Sequence, residues 1–352
     1  MTLYRAEDLQ TYAAALLAGG GFAAAHAEQT ARVLVWANAR GADSHGVLRI
    51  PRYVEMVDEG KINPVATPKV KSRNGAVSIL EADSAPGASA MLAAMDEAVG
   101  IAERFGIGWC SARNITHAGA VGYYTLEAAR RGFIGIAMTA SGPLMAYHGA
   151  RVSGVSTNPV SIGVPAAGNP LLLDMSTSNV ALGKIMAAKD AGRSVPQGWG
   201  IDADGEPSTD PHKIATLTPL GGPKGSGLSL MIEILASVLV SNPVISEALS
   251  GRSASMNGLA MALNVQTFSD ADVFARQIAE LVASIKGLPA ARGTEAILMP
   301  GERGFAMTEA RKRDGIPLAK GTLKRLAELA ERLGVPEPAP LQPAYEARPT
   351  AP

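Results

Sequence analysis

The stretch of sequence that decides the fold is residues 107–139, IGWCSARNITHAGAVGYYTLEAARRGFIGIAMT. It begins with an apolar run of strand length, Ile107–Ala112, and ends with another, Phe133–Thr139. Between the two runs, Gly119–Arg131 has the pattern of a helix. A strand, a helix and a further strand in succession are typical of an α/β layer, so we predict a sheet with helices packed on it.

The same alternation continues on both sides of this stretch. Further strands are predicted at Ala76–Glu81, Pro170–Leu173 and Gly258–Val265. Further helices are predicted at Ala88–Phe105, Asn179–Ala188 and Gly225–Val240, the last of them as a buried helix.

Both ends of the chain are predicted to be helical. A helix at Ala6–Ala18 ends at a run of three glycines, and a second at Ala24–Arg40 ends at Gly41. Near the other end, one apolar stripe is formed by Leu323, Leu326, Leu329 and Leu333. We therefore predict the α+β class, with a helical domain built from both termini (residues 1–75 plus 306–352) and an α/β domain of residues 76–305.

The composition argues against several classes of function. Among 352 residues, 32 Lys and Arg balance 32 Asp and Glu, so nothing indicates electrostatic binding to nucleic acid or to a membrane surface. The single cysteine, Cys110, allows no internal disulfide and no cysteine-type metal site. Residues 1–10 carry charges where a signal peptide has an apolar run, and Glu233 interrupts the longest apolar stretch, Gly227–Val240, which is expected to be too short to span a bilayer. We expect a cytoplasmic protein.

Two common nucleotide-binding motifs are missing from the sequence. No G-x-G-x-x-G lies between a strand and a helix, and no P-loop motif occurs. Three predicted helix starts could still hold a phosphate, at Asn114–Gly119, Asp174–Ser178 and Gly221–Gly227, because helix N-termini offer unpaired amides and a positive dipole end. Each could equally be an ordinary capped loop. Lys224 within its run of glycines is the least ordinary feature of the three.

Two of the five histidines are candidates for acid–base chemistry. His45 lies in the segment RGADSHG beside Ser44 and four residues before Arg49, which places a proton acceptor, a hydroxyl group and a carboxylate-binding cation close together. His117 lies at a predicted helix start, where the helix dipole would keep its ring neutral. A metal site built from Asp43, His45 and His117 is conceivable, but no compact ligand pair such as H-x-x-x-H exists and none is predicted.

The chain resembles the malate/L-lactate dehydrogenase family, which includes ureidoglycolate dehydrogenase, sulfolactate dehydrogenase and piperideine-2-carboxylate reductase. The matching stretches, in family order, are RGADSHGVLRIPRYVEMVDEGKINP, ITHAGAVGYYTLEAARRGFIGIAMT, GVSTNPVSIGVPA, LLLDMSTSNVALGKI, VPQGWGIDADGEPSTDP, GGPKGSGLSLMIEIL and MPGER. The resemblance implies a non-Rossmann α/β domain that binds NAD or NADP. It also implies a helical domain on the substrate side that serves dimerisation, and a homodimer.

The resemblance also implies roles for particular residues. Ser44 and His45 fall on the family's S-H-G motif, and Arg49 falls on its substrate-carboxylate arginine. His117 falls on an H-x-G motif beside the nicotinamide and is the proton acceptor in the ureidoglycolate branch. The segments that contact the dinucleotide cover His117, Gly119, Ser141, Asp174, Ser176, Lys224, Gly225 and Glu302.

These residues predict hydride transfer between NAD or NADP and a small 2-hydroxy acid, of the malate, lactate, sulfolactate or ureidoglycolate type, with the 2-oxo acid as its partner. Arg49 is expected to hold the carboxylate, while His117 chiefly and His45 second exchange the proton, with Ser44 orienting. The alternatives are a reductase of cyclic imine 2-carboxylates, a metal-dependent lyase or hydrolase, and a non-catalytic paralogue.

Lys184 distinguishes hydroxy-acid oxidation from the reduction of a cyclic imine. The resemblance implies that the imine-reducing branch carries an aspartate here, acting with the Ser-His pair. A carboxylate beside His45 would keep the imidazole protonated for donation to an imine, whereas a lysine lowers the pKa of the histidine and favours a neutral base. We therefore include Lys184 in the catalytic set and predict hydroxy-acid chemistry; the alternative is a solvated helix residue.

Overall fold

The computed structural model describes residues 2–190 and 192–341, and it is organised around a seven-stranded sheet. In spatial order the strands are β2 (Lys69–Asn74), β3 (Val77–Glu81), β4 (Ile107–Ile115), β12 (Met256–Asn264), β5 (Phe133–Ala140), β8 (Val160–Val164) and β9 (Leu171–Met175). Only β3 and β4 run parallel, and the other neighbours are antiparallel. The protein is therefore α+β, with a mixed sheet.

Small residues in the central strands let a helix approach the sheet closely. Helix α4 (Gly87–Phe105) packs on β4 and β12, and α5 (Gly122–Arg130) packs on β5. Cys110 on β4 pairs with Ala260 on β12, and both side chains are fully buried. A larger side chain on either strand would push the helix away, which explains the Ala, Gly and Cys residues along this face.

A second layer of helices brings the two ends of the chain together. Its helices are α1 (Ala6–Gly19), α2 (Ala24–Ala39), α3 (Ile50–Asp58) and α12 (Lys320–Leu333). Strand β1 (Thr2–Tyr4) pairs with β13 (Ile316–Leu318), and side chains from both ends form one apolar core. Leu326 and Leu329 of the predicted stripe are buried in this core.

The remaining elements form a smaller unit and the links between layers. A four-stranded sheet has the order β10 (Gly200–Ile201), β11 (Thr216–Leu217), β6 (Met145–Ala146) and β7 (Ser153–Val155). The other helices are α6 (Leu182–Asp190), α7 (Pro223–Ala236), α8 (Ile245–Leu249), α9 (Val265–Phe268), α10 (Ala271–Lys286) and α11 (Glu302–Asp314). Short 3-10 turns lie at Asp43–His45, Val47–Arg49 and Val238–Val240.

Most of the predicted strands and helices are confirmed to within a few residues, but two predictions are wrong. Helix α6 begins at Leu182, so the predicted helix start at Asp174–Ser178 is wrong; Ser178 instead bridges to Pro219. Helix α7 is not buried throughout, because Met231 is 48% exposed, and it ends at Ala236 rather than Val240.

The division into two domains at residues 75 and 306 stays a prediction. Strand β2, at Lys69–Asn74, belongs to the large sheet and lies on the helical side of the predicted boundary. It pairs with β3 through a tight turn at Gly75 and Ala76, where Gly75 has a positive φ of 56°. Residues 342–352 of the predicted helical domain lie outside the described residues.

One helical segment meets the criterion for a membrane span by length and composition, contrary to the expectation from the sequence. The segment is Pro223–Val240, 18 residues with a mean hydropathy of 1.3, of which 44% is buried. Its helix α7 packs on β5 and β12, and its Glu233 accepts hydrogen bonds from the backbone of Val244 and Ile245. A helix in the interior of a folded protein meets the same criterion, and these contacts fit that explanation.

Candidate active site

The turn that carries Ser44 and His45 is held by Asp43. Asn38 on α2 donates to one carboxylate oxygen of Asp43 at 2.8 Å and accepts the backbone N–H of Val47 at 2.8 Å. Arg311 on α11 binds both carboxylate oxygens of Asp43, at 2.7 and 3.2 Å. Both carboxylate oxygens of Asp43 are therefore occupied by hydrogen bonds that hold this turn. Within residues 2–190 and 192–341, no group of three or more His, Cys, Asp or Glu side chains is placed to hold a metal ion.

His117 comes from the other layer, in the loop after β4. Asn114 has a left-handed φ of 54°, which turns the chain out of the sheet just before this loop. The hydroxyl group of Thr116 donates to the carbonyl of Ala85 at 3.0 Å and accepts the amide of Gly87 at 2.9 Å. The backbone of the loop is thus tied to the start of α4 on one side of His117.

The two histidines meet where the layers join. Their rings are stacked with centroids 5.8 Å apart and an angle of 22° between planes. Ser44 Oγ lies 2.9 Å from Nδ1 of His45, and the Nε of Arg49 donates to the carbonyl of Ser44 at 2.8 Å. Four of the predicted site residues, Ser44, His45, Arg49 and His117, are therefore brought together.

Tyr53 belongs to the same cluster, although the sequence did not predict it. Its hydroxyl lies 2.6 Å from Nδ1 of His117, and its side chain is 5% exposed. Tyr53 lies on α3, four residues after Arg49, so one helical turn brings both side chains to the same side. That spacing was the available signal, but an aromatic residue in an apolar helix more often belongs to the core.

Both histidines are neutral at neutral pH in this site. Desolvation, followed by the charge of Arg49, lowers the pKa of His45 to about 4. Desolvation, then Arg49, then His45 lower the pKa of His117 to about 3. The helix dipole proposed from the sequence is not the cause, since α5 begins five residues after His117, at Gly122.

Lys184 lies near this cluster but outside its hydrogen bonds. It is exposed in the first turn of α6, and in the part of the chain that the structure describes its ammonium group makes no hydrogen bond. The preceding Gly183 touches Ser44: a Cβ atom at Gly183 would lie 2.5 Å from the Cβ of Ser44. The start of α6 therefore packs on the turn that carries Ser44, and a role for Lys184 itself stays a prediction.

Asp174 lies near the end of β9, and its charge interacts with that of Arg40, which follows the last residue of α2. The Oδ2 of Asp174 accepts the amide of Gly122, the first residue of α5, at 3.1 Å. Desolvation raises the pKa of Asp174 to about 6, although the residue is exposed to solvent. The guanidinium of Arg40 lies between the rings of Trp36 and Phe305, 5.0 and 4.4 Å from their centroids.

Glycines at the start of α7 make a cradle for an anionic group. Gly221 and Gly222 have positive φ of 57° and 62°, and Lys224 lies against Gly221. A Cβ atom at Gly225 would collide with the backbone of Leu220 and Thr177, so only glycine fits there. The amides of Gly222, Gly225 and Ser226 already donate to carbonyls of this turn. A phosphate here would therefore be held chiefly by the ammonium group of Lys224.

The other residues predicted to contact the cofactor, Ser141, Ser176 and Glu302, are hydrogen-bonded to neighbouring parts of the chain. Ser141 bonds through its hydroxyl to Ser156, and Ser176 bonds to Ser178. The carboxylate of Glu302 is engaged by Lys286 and by the amide of Met299. Its segment lies beside β9, since Gly301 contacts Leu172.

Two buried polar atoms are left without partners in this region. Within the described residues, neither Nη1 of Arg40 nor the hydroxyl of Thr177 has a hydrogen-bond partner. Buried polar groups are almost always hydrogen-bonded, so such atoms indicate a missing partner. With the glycine cradle at α7, they fit a dinucleotide, whose phosphates and ribose hydroxyls supply such partners.

These residues together include acid–base groups, a cation and an anion cradle, as expected of an enzyme that acts on a small anionic substrate together with a nucleotide. The family model described as malate/L-lactate dehydrogenase matches residues 4–327. A malate dehydrogenase of Pyrococcus abyssi is 36% identical over 314 residues, covering 86% of this chain and 87% of that protein.

Two further relatives extend the comparison. The Delta(1)-pyrroline-2-carboxylate/Delta(1)-piperideine-2-carboxylate reductase of Pseudomonas putida is 32% identical over 332 residues, covering 92% of this chain and 95% of that protein. The structure of sulfolactate dehydrogenase from Methanocaldococcus jannaschii superposes with a TM-score of 0.85 at 32% identity, covering 95% of this chain and 98% of that one. The chain belongs to the malate/L-lactate dehydrogenase family and is an oxidoreductase of that family.

The low pKa values of the two histidines predict a pH dependence of stability. Below pH 6.5 both histidines become protonated in the unfolded chain but stay neutral in the folded protein. The free energy of unfolding is therefore highest above pH 6.5 and falls as the pH drops toward about 4. Urea unfolding between these pH values measures the slope. The double variant His45→Gln, His117→Gln should flatten it, whereas His212→Gln, in an exposed loop, should not. An unchanged slope in the double variant would contradict the assignment.

Proposed function

We propose that the chain interconverts a small 2-hydroxy acid and its 2-oxo acid, using NAD or NADP. The observation that carries the proposal is the grouping of Arg49 with two neutral histidines where the helical layer meets the sheet. A 2-oxo acid presents a carboxylate next to a carbonyl oxygen. The carboxylate needs a cation, and the carbonyl oxygen needs a group that donates or takes a proton.

Arg49 is suited to the carboxylate. Its Nε is occupied by the carbonyl of Ser44, which fixes the direction of the side chain. Its two terminal nitrogens make no hydrogen bond within the described chain, so they are available for a bidentate contact with a carboxylate.

The cofactor would be held by residues on both sides of the histidines. When bound, the nicotinamide takes the hydrogen on the substrate carbon with its electron pair during oxidation, and returns it during reduction. We propose that Ser141, Asp174 and Ser176 line the sheet side of its site and that Lys224 and Gly225 hold a phosphate, with Gly119 and the segment of Glu302 at the two ends. The mostly antiparallel sheet and the absence of a G-x-G-x-x-G motif support a non-Rossmann binding mode.

A substrate screen tests the proposed reaction. Purified protein is assayed with NADH and NADPH on pyruvate, oxaloacetate, sulfopyruvate and oxalurate, and on piperideine- and pyrroline-2-carboxylate. We expect loss of nicotinamide absorbance at 340 nm with at least one oxo acid and with one preferred cofactor. Turnover of the cyclic imines alone would contradict the hydroxy-acid proposal, and no turnover with any of them would contradict both.

The cyclic imines are included because the match to the P. putida reductase covers nearly the whole chain. We propose that Lys184 favours hydroxy acids over imines, since a cation at the start of α6, next to the residue that packs on Ser44, opposes protonation of His45. This keeps the histidine as a neutral base for a hydroxyl group.

Arg49→Ala should weaken substrate binding and leave cofactor binding intact. Loss of a charge-assisted pair in a half-buried site costs about 2–5 kcal/mol, which is roughly 30-fold or more in kcat/KM. Arg52→Ala, on the same stretch of chain but paired with Glu59 at the surface, is the matched control and should change little. Equal kinetics for Arg49→Ala and wild type on the best substrate would place the carboxylate elsewhere.

We also propose a homodimer that works in the cytoplasm. Helix α7 and the turn after it present a row of exposed apolar side chains, Leu228, Met231, Ile234, Val238 and Leu239. A contiguous apolar surface of this kind supports a partner, and a second copy of the chain is the partner we propose. Sedimentation equilibrium measures the mass in solution. The cytoplasmic supply of nicotinamide cofactor supports the location.

A further inference from the structure

Two protein groups meet at one nitrogen of His117. The backbone amide of Gly119 donates to Nδ1 at 3.3 Å, and the hydroxyl of Tyr53 lies 2.6 Å from the same atom. A backbone amide can only donate a hydrogen bond. The amide of Gly119 and the hydroxyl of Tyr53 are both satisfied only when Nδ1 carries the lone pair, so the proton of the neutral ring lies on Nε2.

The opposite tautomer would leave two groups unsatisfied. A proton on Nδ1 would point at the amide of Gly119, and the hydroxyl hydrogen of Tyr53 would need another acceptor. Among the residues that the structure describes, His117 is the one hydrogen-bond partner of that hydroxyl. Burial raises the pKa of Tyr53, so it keeps its proton, and a buried donor without a partner is costly.

His45 is not constrained in this way. Its Nδ1 lies 2.9 Å from the hydroxyl of Ser44, which can either donate or accept. A proton on Nδ1 of His45 can be donated to Ser44, which leaves the lone pair on Nε2. Within the described chain, Nε2 of neither histidine has a hydrogen-bond partner, so both are free for substrate.

We propose that the two histidines divide the work on the substrate oxygen. His117 donates a hydrogen bond from Nε2 to that oxygen and keeps its proton. His45 takes the hydroxyl proton on Nε2 during oxidation and returns it during reduction. Tyr53 is the positioning residue that holds His117 in its donor tautomer. The inference rests on the proposed function and reverses the order of the two histidines expected from the sequence.

The protonated states of the two rings explain this division. Charging His117 would add a proton at Nδ1, the atom at which Gly119 and Tyr53 already point their hydrogens. Charging His45 adds a proton at Nε2, where no protein donor competes, while Ser44 accepts the hydrogen bond from Nδ1. The O–H bond of the substrate therefore breaks toward His45, and the proton count of His117 does not change.

Substitution by glutamine separates the two roles, because an amide can donate a hydrogen bond but cannot carry a proton. On the best substrate of the screen, His117→Gln should keep kcat within about 10-fold of wild type, and His117→Ala should lose more. His45→Gln should lose about 10²–10⁴-fold. A His117→Gln variant as inactive as His117→Ala, together with an active His45→Gln variant, would overturn the division.

The tautomer is measured without substrate. In ¹⁵N spectra of the protein near pH 7, the signal lost in His117→Gln identifies His117, and its Nδ1 should appear in the lone-pair range with Nε2 protonated. Tyr53→Phe leaves only the amide of Gly119, at 3.3 Å, as a donor to Nδ1 of His117. Because one long contact favours the lone pair at Nδ1 only weakly, both tautomers should be populated. Tyr12→Phe, which removes the buried hydroxyl bonded to Leu326, is the matched control and should not.

A His117 protonated on Nδ1 in the wild type would overturn the inference, and so would a Tyr53→Phe spectrum identical to that of the wild type. Because this readout needs neither substrate nor cofactor, it distinguishes a failure of the tautomer assignment from a failure of the proposed reaction. A screen without turnover combined with the expected spectra would reject the reaction and keep the assignment.

Discussion

The ion pair between Arg311 and Asp43 fixes the turn on which the rest of the site depends. Arg311 is largely shielded from solvent, and its two contacts with the carboxylate hold one fixed orientation. Because the pair joins α11 to the end of α2, the segment near the C-terminus helps to hold a turn formed by residues 43–45. The directions of Ser44, His45 and Arg49 follow from it.

The second half of the site depends on a separate constraint, the anchored loop after β4. Thr116 ties that loop to the start of α4, and Tyr53 reaches across from the helical layer to His117. The proposed chemistry requires both layers, since neither layer carries both histidines. A displacement of one layer by about 1 Å would separate the rings from a shared substrate atom, and such misplacement costs on the order of 100-fold in rate.

The sequence predicted the elements better than the contacts between them. Helix and strand limits near Gly41 and Phe105 were correct because glycine stops and apolar periodicity are local signals. The helix start predicted at Asp174–Ser178 was wrong because a bridge between Ser178 and Pro219, distant in sequence, holds that segment in an extended form. Tyr53 was missed for the same reason: its partner His117 lies 64 residues away. For α7, an apolar pattern does not distinguish burial within the chain from a surface for a partner.

The most direct test of the account is a crystal structure of the protein with reduced cofactor and oxamate, an unreactive analogue of a 2-oxo acid. The carboxylate of oxamate is expected on the terminal nitrogens of Arg49, and its carbonyl oxygen is expected to accept hydrogen bonds from Nε2 of His117 and from Nε2 of His45 in its protonated form. Oxamate bound away from Arg49, or with its carbonyl oxygen turned from both rings, would contradict the account.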